Sequence, residues 1–292
     1  MVNSNMTHPD IHICFALYGY AADSSLAARM YEFSKELAAD CRCIPDIADA
    51  DIGGESNGKY KSFASIDKKL TSVGFAGVTH WSLLDIPDDY IKTMNGHLQG
   101  LKMQVEFDAC SPIRSYVFTI RECELSYGNV NFLDRMRQAA EILCPKYGIV
   151  YRRPFEKGPA LYGMGLLQNG NFSMDDENIG YWPCLLNNDC FVFLRSVYTE
   201  QLLTSIQLSL RIDSVRLNNW ISSDFSRGTL TTFSDTLSLW TVPESNRVEV
   251  RNLLWNEGLI LDRRRHFEEI ISKYRIDEDS VAQHYSKQIP FQ

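Results

Sequence analysis

The clearest alternation of apolar and polar residues runs from Tyr116 to Gly165. Tyr116, Phe118 and Ile120 alternate with Val117, Thr119 and Arg121 on a β-branched and aromatic run, the period-two pattern of a strand. Phe132, Leu133, Met136, Ala139, Ala140 and Leu143 then recur at spacings of three and four, which makes one apolar helix stripe. Asp134, Arg135, Arg137, Gln138 and Glu141 fall on the opposite, polar side. Pro145 stops that helix, because it has no backbone donor, and Gly148 opens a second strand over 149–155.

The same periodicities predict the rest of the chain in outline. Residues 11–20 suit a buried strand, and a helix follows in which Asp23 or Ser24 caps the first turn and Leu26, Met30, Phe33 and Leu37 share a face. Residues 45–57, rich in acid, glycine and small side chains, predict a long exposed loop. A short strand over 60–66 and a brief helix from Asp67 to Leu70 come next, and Pro87 in 86–89 gives a further helix-start signal. Residues 101–110 alternate as a strand that pairs with 114–125 across the turn at Ser111 and Pro112.

Past Gly158 the texture becomes polar, which places a boundary between two lobes, 1–165 and 166–292. In the second lobe the pattern predicts a strand over 190–197 and leaves 200–210 open between helix and strand. Residues 220–235 read as loop with some edge structure, 236–242 as a strand stopped by Pro243, and 244–258 as a helix closed by Gly258. An extended piece at 259–261 and a last helix capped by Asp262 complete the chain. Strands and helices in this order predict an α+β fold, a mostly antiparallel sheet with helices packed on one face.

Composition then narrows the function classes. At 292 residues and 45% hydrophobic, the chain can build a substantial core and is not disordered. Its 29 Lys and Arg against 37 Asp and Glu leave a formal charge of -8, which repels phosphate backbones and anionic lipid. Direct nucleic-acid binding is disfavoured and a basic protein partner favoured. The eight cysteines lack paired Cys-x-x-Cys spacing, so buried free thiols are expected rather than a zinc site. Neither a signal sequence nor a membrane-spanning apolar run is evident, and the expectation is a soluble, reduced, cytoplasmic protein without a cofactor.

No motif for catalysis survives its context. Gly54-Glu55-Ser56-Asn57-Gly58 fits a nucleophile elbow, but that turn needs a core strand before it, and the preceding aspartates read as loop. Asp46, Asp67 and Lys69 imitate the acid, acid and lysine set of metal-dependent nucleases, yet Asp67 reads as a helix start. Asp46, Asp49, Asp51 and Glu55 lack the order of a calcium loop. Gly158, Gly163 and Gly165 lack the rest of a dinucleotide fingerprint and suit close backbone packing. The six histidines fall in no metal or triad spacing.

Two stretches, YGIVYRRPFEKGPALYGMGL at 147–166 and RGTLTTFSDTLSLWTVPESNRVEVRNLLWNEGLIL at 227–261, resemble in texture the bacterial toxin-immunity proteins of type VI secretion, TsiT-like antidotes of nuclease effectors among them. The resemblance implies a non-catalytic cytoplasmic binder that occludes or distorts the active site of one cognate toxin. Nucleases carry basic clefts, and an acidic binder is steered onto them. Acidic residues Asp46, Asp49, Asp51, Glu55, Asp175, Asp176 and Glu177 are the expected steering groups, with Tyr181 and Trp182 as anchors. The competing expectations are a serine hydrolase or metal-dependent nuclease and a secretion-system adaptor.

Overall fold

A computed structural model describes residues 10–21, 24–53, 60–86, 101–109, 114–128, 131–165 and 193–261. The first half contributes β1 (Ile11–Tyr18), α1 (Ser24–Asp40), β2 (Ile47–Ile52), β3 (Lys61–Ser62), α2 (Phe63–Val73), β4 (Val78–Asp85), β5 (Met103–Asp108), β6 (Ser115–Arg121), α3 (Glu122–Gly128), α4 (Phe132–Leu143), β7 (Tyr147–Pro154) and α5 (Pro159–Gly163). The second contributes β8 (Glu200–Leu203), α6 (Ser205–Leu208), β9 (Arg211–Ile212), β10 (Val215–Arg216), α7 (Leu217–Ser222), β11 (Thr229–Thr232), β12 (Ser238–Thr241) and α8 (Arg247–Asn256). The α+β class expected from the sequence is the class observed.

Ten strands form one sheet in the order β11-β12-β8-β7-β1-β6-β5-β4-β2-β3, and adjacent strands run antiparallel. Strands from both sides of residue 165 share it, since β8 pairs directly with β7 through Tyr147↔Leu203. β1 lies near the middle, and successive side chains point to opposite faces. Ile13, Phe15 and Leu17 join a core with Leu26, Met30 and Leu37 of α1, Ile66 and Leu70 of α2, and Phe132, Met136 and Leu143 of α4. Cys14, Ala16 and Tyr18 face the other way, onto a second core built from α5, residues 194–198, α7 and α8.

The opening stretch behaves as its pattern predicts. Asn131 caps α4 by accepting the Asp134 N–H at 3.3 Å. Cys144 ends the helix in the left-handed region at φ 50, and its N–H reaches the Ala140 carbonyl before Pro145 removes the next donor. Gly163 has no room for a side chain, because a Cβ there would stand 2.5 Å from the Tyr151 hydroxyl and 2.6 Å from Val117 Cγ1. Close packing is thus the role of this glycine, as expected.

Other segments correct the sequence reading. Residues 47–52, expected within a loop, form β2. Ala48 and Ala50 enter the helix-covered core while Asp49 and Asp51 point away, a period-two pattern that small alanines disguise. β4 was not visible in the pattern, since Trp81, Ser82, Leu83 and Leu84 are all buried and the polar face of His80 and Ser82 gives way to Leu84. The strand after Tyr116 ends at Arg121, where α3 begins. The expected strand over 60–66 shrinks to two residues, and helix α2 begins at Phe63, ahead of Asp67.

Residues 193–199 carry no regular strand. Leu194 alone bridges Ile260, its N–H donating to Leu259 O and its carbonyl accepting from Leu261 N–H, each at 2.9 Å. The open question at 200–210 resolves as both answers in succession, β8 and then α6. Thr204 separates them with a capping box, its hydroxyl accepting from Ile206 N–H and its own N–H donating to Gln207 Oε1 at 2.8 Å. The 220–235 stretch holds part of α7 and the edge strand β11. The helix expected after Pro243 is α8, which buries Val250 and Leu254, and Gly258 beyond it takes φ 75.

Candidate functional site

Of the nine residues expected to meet a partner, Asp46, Asp49 and Asp51 fall among the described residues; Glu55, Asp175, Asp176, Glu177, Tyr181 and Trp182 lie outside them. Asp46 serves the fold. Its carbonyl accepts from Phe63 N–H at 2.8 Å, its N–H donates to Leu84 O at 2.9 Å, and its carboxylate accepts from Ile86 N–H at 3.3 Å. It fastens the start of β2 to the end of β4.

Asp49 and Asp51 do something different. The register pairs Asp49 with Ser82 and Ser82 with Glu106 across β2, β4 and β5; one step along, Asp51 pairs with His80 and His80 with Asp108. Residues directly opposite one another share a face, so two rows of polar side chains cross three strands on the side away from α1 and α4. Gln104 extends the patch along β5. His80, Asp49, Asp51 and Asp108 are half-buried, whereas Ser82 is 1% and Glu106 is 5% exposed. The rim is therefore wet and the floor dry.

Glu106 is the electrostatic centre of the patch. Gln104 Nε2 donates to its Oε1 at 2.6 Å, and His80 Nε2 stands 3.5 Å from its Oε2. Burial raises its pKa to about 7; His80 and Gln104 oppose that rise, while Asp108 and Asp49 add to it. A carboxyl poised there exchanges its proton at neutral pH, a property that marks binding and acid-base sites alike. Tyr60, just before β3, is pushed up to about 12 by partial burial and by Glu106. Its hydroxyl lies against the Ser82 side chain, which is sealed from solvent. One oxygen of Asp51 is buried without a hydrogen-bond partner.

Sequence reasoning named two of these residues and missed His80, Ser82, Gln104, Glu106 and Asp108. The signal was nevertheless present: Gln104, Glu106 and Asp108 alternate with Met103, Val105 and Phe107 in a stretch already expected as a strand. Three polar residues on one face of an interior strand mark either a solvent-facing surface or a site.

The other sequence candidates do not assemble. Asp67 pairs with Lys35 at 3.3 Å on the opposite side of the sheet from the patch, and Lys69 is exposed on α2, so the nuclease-like set is not brought together. Ser56 lies outside the described residues. Cys14, Cys41 and Cys43 are buried free thiols, as expected, whereas Cys123 and Cys144 are exposed. Among the described residues no group of three or more His, Cys, Asp or Glu could hold a metal ion, and no helix is long and apolar enough to cross a membrane.

On the same face, over β1 and β7, the buried polar side chains form a hydrogen-bonded network. Arg195, 2% exposed, donates to the Tyr18 hydroxyl at 2.8 Å and to the carbonyls of Tyr162 and Gly163, and its guanidinium stacks on the Tyr162 ring at 4.3 Å. Tyr18 donates to Gly163 O at 2.6 Å, Tyr151 to Pro159 O at 2.7 Å, and Tyr162 shares a 3.0 Å bond with Tyr198. These contacts lock α5 and residues 194–198 to the sheet.

No family model and no curated protein matches the chain. Among solved structures it is similar in fold to "Pseudomonas aeruginosa T6SS protein PA0821", with a TM-score of 0.52 and 10% sequence identity over 86% of this chain and 73% of that one. At that identity the likeness is one of fold.

Proposed function

We propose that the chain is an immunity-type binding protein associated with type VI secretion, which neutralises one basic toxin, a nuclease effector, by covering its active site. The observation that carries this reading is the pair of polar rows on β2, β4 and β5, four carboxylates without a Lys or Arg in either row. The fold likeness to a type VI secretion protein and the formal charge of -8 support it. Such a face attracts a basic cleft and speeds encounter with it. Asp49 and Asp51 take the steering role at the rim, and the acidic and aromatic residues at 175–182 are proposed to extend the contact.

Co-expression tests the proposal. The toxin encoded beside this chain should arrest a host bacterium alone and release it when this chain is present, and the two should co-purify in equal amounts. Growth arrest that persists despite soluble co-expression would sink the immunity reading. Recovery of several partners at low occupancy would favour an adaptor. Hydrolytic activity of the purified chain, lost in Ser56→Ala, or Mg²⁺-dependent cleavage of nucleic acid would favour the enzyme reading.

A further inference from the structure

We infer that the outer edge of β11 pairs with the β11 of a second copy of this chain, antiparallel about a two-fold axis at Thr231, so that the sheet of one copy runs on into the other. The inference goes beyond the binder reading and does not depend on it. β11 ends the sheet on one side and β3 on the other, and the two edges differ. β3 is two residues long and carries Lys61; brevity and a lysine both discourage edge-to-edge pairing. β11 runs Thr229-Leu230-Thr231-Thr232, and residues 228–234 hold neither a charge nor a proline. Thr229, Thr231 and Thr232 are exposed and Leu230 is half-buried.

The hairpin fixes which backbone groups face outward. Phe233 N–H donates to Leu237 O at 3.0 Å, so Thr231 and Thr229, at steps of two, bond to Leu239 and Thr241 of β12. Leu230 and Thr232 therefore turn their N–H and C=O groups away from β12, and among the described residues no strand pairs with them there. The strand is ordered at both ends. Arg227 O accepts from Trp240 Nε1 at 2.8 Å, and the Arg227 guanidinium stacks on Trp220 at 4.2 Å. Phe233 and Ser234 N–H both donate to Leu237 O. An edge ordered in advance loses little freedom when another strand joins it.

A second β11 suits this edge residue by residue. With the axis at Thr231, Leu230 lies opposite Thr232 of the second copy and the two exchange N–H···O bonds in both directions; the symmetry repeats the exchange. Thr231 faces its own counterpart in a non-hydrogen-bonded pair, and Thr229 faces Phe233 of the second copy. Thr–Thr and aromatic–β-branched pairs both favour cross-strand association. Beyond the strand, Arg227 comes opposite Asp235 of the second copy, and the opposite charges meet again at the other end. Asp224 beside Arg227 and the formal charge of -8 on each copy act against pairing, and the edge is short, so the dimer forms reversibly and only as concentration rises. β2, β4 and β5 lie towards the other end of the sheet, and a dimer leaves both polar faces open.

Sedimentation equilibrium of the purified full chain, from micromolar to submillimolar concentration, tests the pairing. We expect the average mass to rise with concentration towards twice that of one chain. Thr232→Pro removes an outward N–H and no bond to β12, so it should weaken association about tenfold, since each dimer loses that bond twice. Thr231→Lys sets like charges face to face across the axis and should weaken it several-fold. Circular dichroism reports whether each variant keeps its fold. Mild oxidation reads the register. Thr231→Cys should give a disulfide-linked dimer, because non-hydrogen-bonded partners stand about 4.5 Å apart at Cα, whereas Thr229→Cys should link no more than the native chain with its exposed Cys123 and Cys144. A chain that stays monomeric throughout, a dimer indifferent to both edge variants, or cross-linking through Thr229→Cys instead would overturn the inference. Monomeric behaviour together with toxin capture that Thr232→Pro abolishes would also overturn it and give the edge to the toxin. Self-association without any neutralisation would remove the immunity reading alone.

Discussion

The two halves of one sheet face treat buried polar groups in opposite ways. Over β1 and β7, Arg195 is wrapped by two carbonyls, the Tyr18 hydroxyl and an aromatic ring. Over β2, β4 and β5, Glu106 lies buried with acids on either side and Gln104 and His80 against it, and one oxygen of Asp51 is buried without a hydrogen bond. Strand geometry is the same in both places, so the difference belongs to the side chains and to what packs above them. A buried polar group held by several partners adds rigidity, whereas a buried acid set among other acids stores a demand that an incoming ligand can meet. The first half reads as a structural lock and the second as a site.

The sharpest way to break this comparison is to remove the lock. Arg195→Ala strips donors from two carbonyls and a hydroxyl and leaves a void beneath Tyr162. The expected loss is roughly 4 kcal/mol of stability, read as a lower urea midpoint, because each orphaned buried acceptor costs about 1–3 kcal/mol. A stability change below about 1 kcal/mol would show that the Arg195 contacts do not hold this half together.

Removing charge from the other half should act with the opposite sign and only in part of the pH range. The folded pKa of Glu106 lies near 7, above its ordinary 4.5, so the folded state holds the proton longer than the unfolded chain. Stability from this group is present below about 4.5 and declines as pH rises to about 7, by up to about 3 kcal/mol. Glu106→Gln should therefore raise the urea midpoint at pH 8 and leave it unchanged at pH 4.

His12 supplies a counterweight at the end of β1. It is buried against Phe155, with ring centroids 5.4 Å apart, and burial lowers its pKa to about 4. Asp10 and Arg121 act on it in opposite senses. Unfolding lets the ring protonate at its usual 6.5, so stability from His12 falls as pH drops from 6.5 towards 4. The two slopes oppose one another between about 4.5 and 6.5. The native chain should show a nearly flat stability profile there, His12→Leu a decline with rising pH and Glu106→Gln a rise. A steep native profile in that window would sink the balance.

How much of this was legible in the sequence depends on what each residue faces. α1, α4, β1, β5 and β12 could be read because one side of each is apolar and periodic, or apolar throughout over strand length. β4 could not, because its polar face stops at Ser82 and Leu84 breaks the period, and β2 could not, because its inward residues are alanines. The site suffered the same blindness. Aspartates at 46–51 drew notice as a cluster, while Glu106 and Ser82, the buried floor, were hidden inside stretches that looked merely structural. Which acids converge is decided by strand register, a tertiary fact with no local signature.

The smallest effects separate two aspartates that the sequence could not tell apart. Asp46→Ala deletes the acceptor for Ile86 N–H at the junction of β2 and β4, and should cost about 1 kcal/mol with no change in affinity for a basic partner. Asp49→Asn keeps an oxygen for the Ala50 N–H, which Asp49 Oδ1 accepts at 2.9 Å, so stability should stay within about 0.5 kcal/mol. It removes a charge from the row beside Ser82, and a basic partner should bind several-fold more weakly, with the difference shrinking as salt is raised. Measured side by side, the two variants assign Asp46 to the frame and Asp49 to the face. The reverse pattern, with Asp46 governing affinity and Asp49 stability, would move the site off the register that places Asp49 beside Glu106.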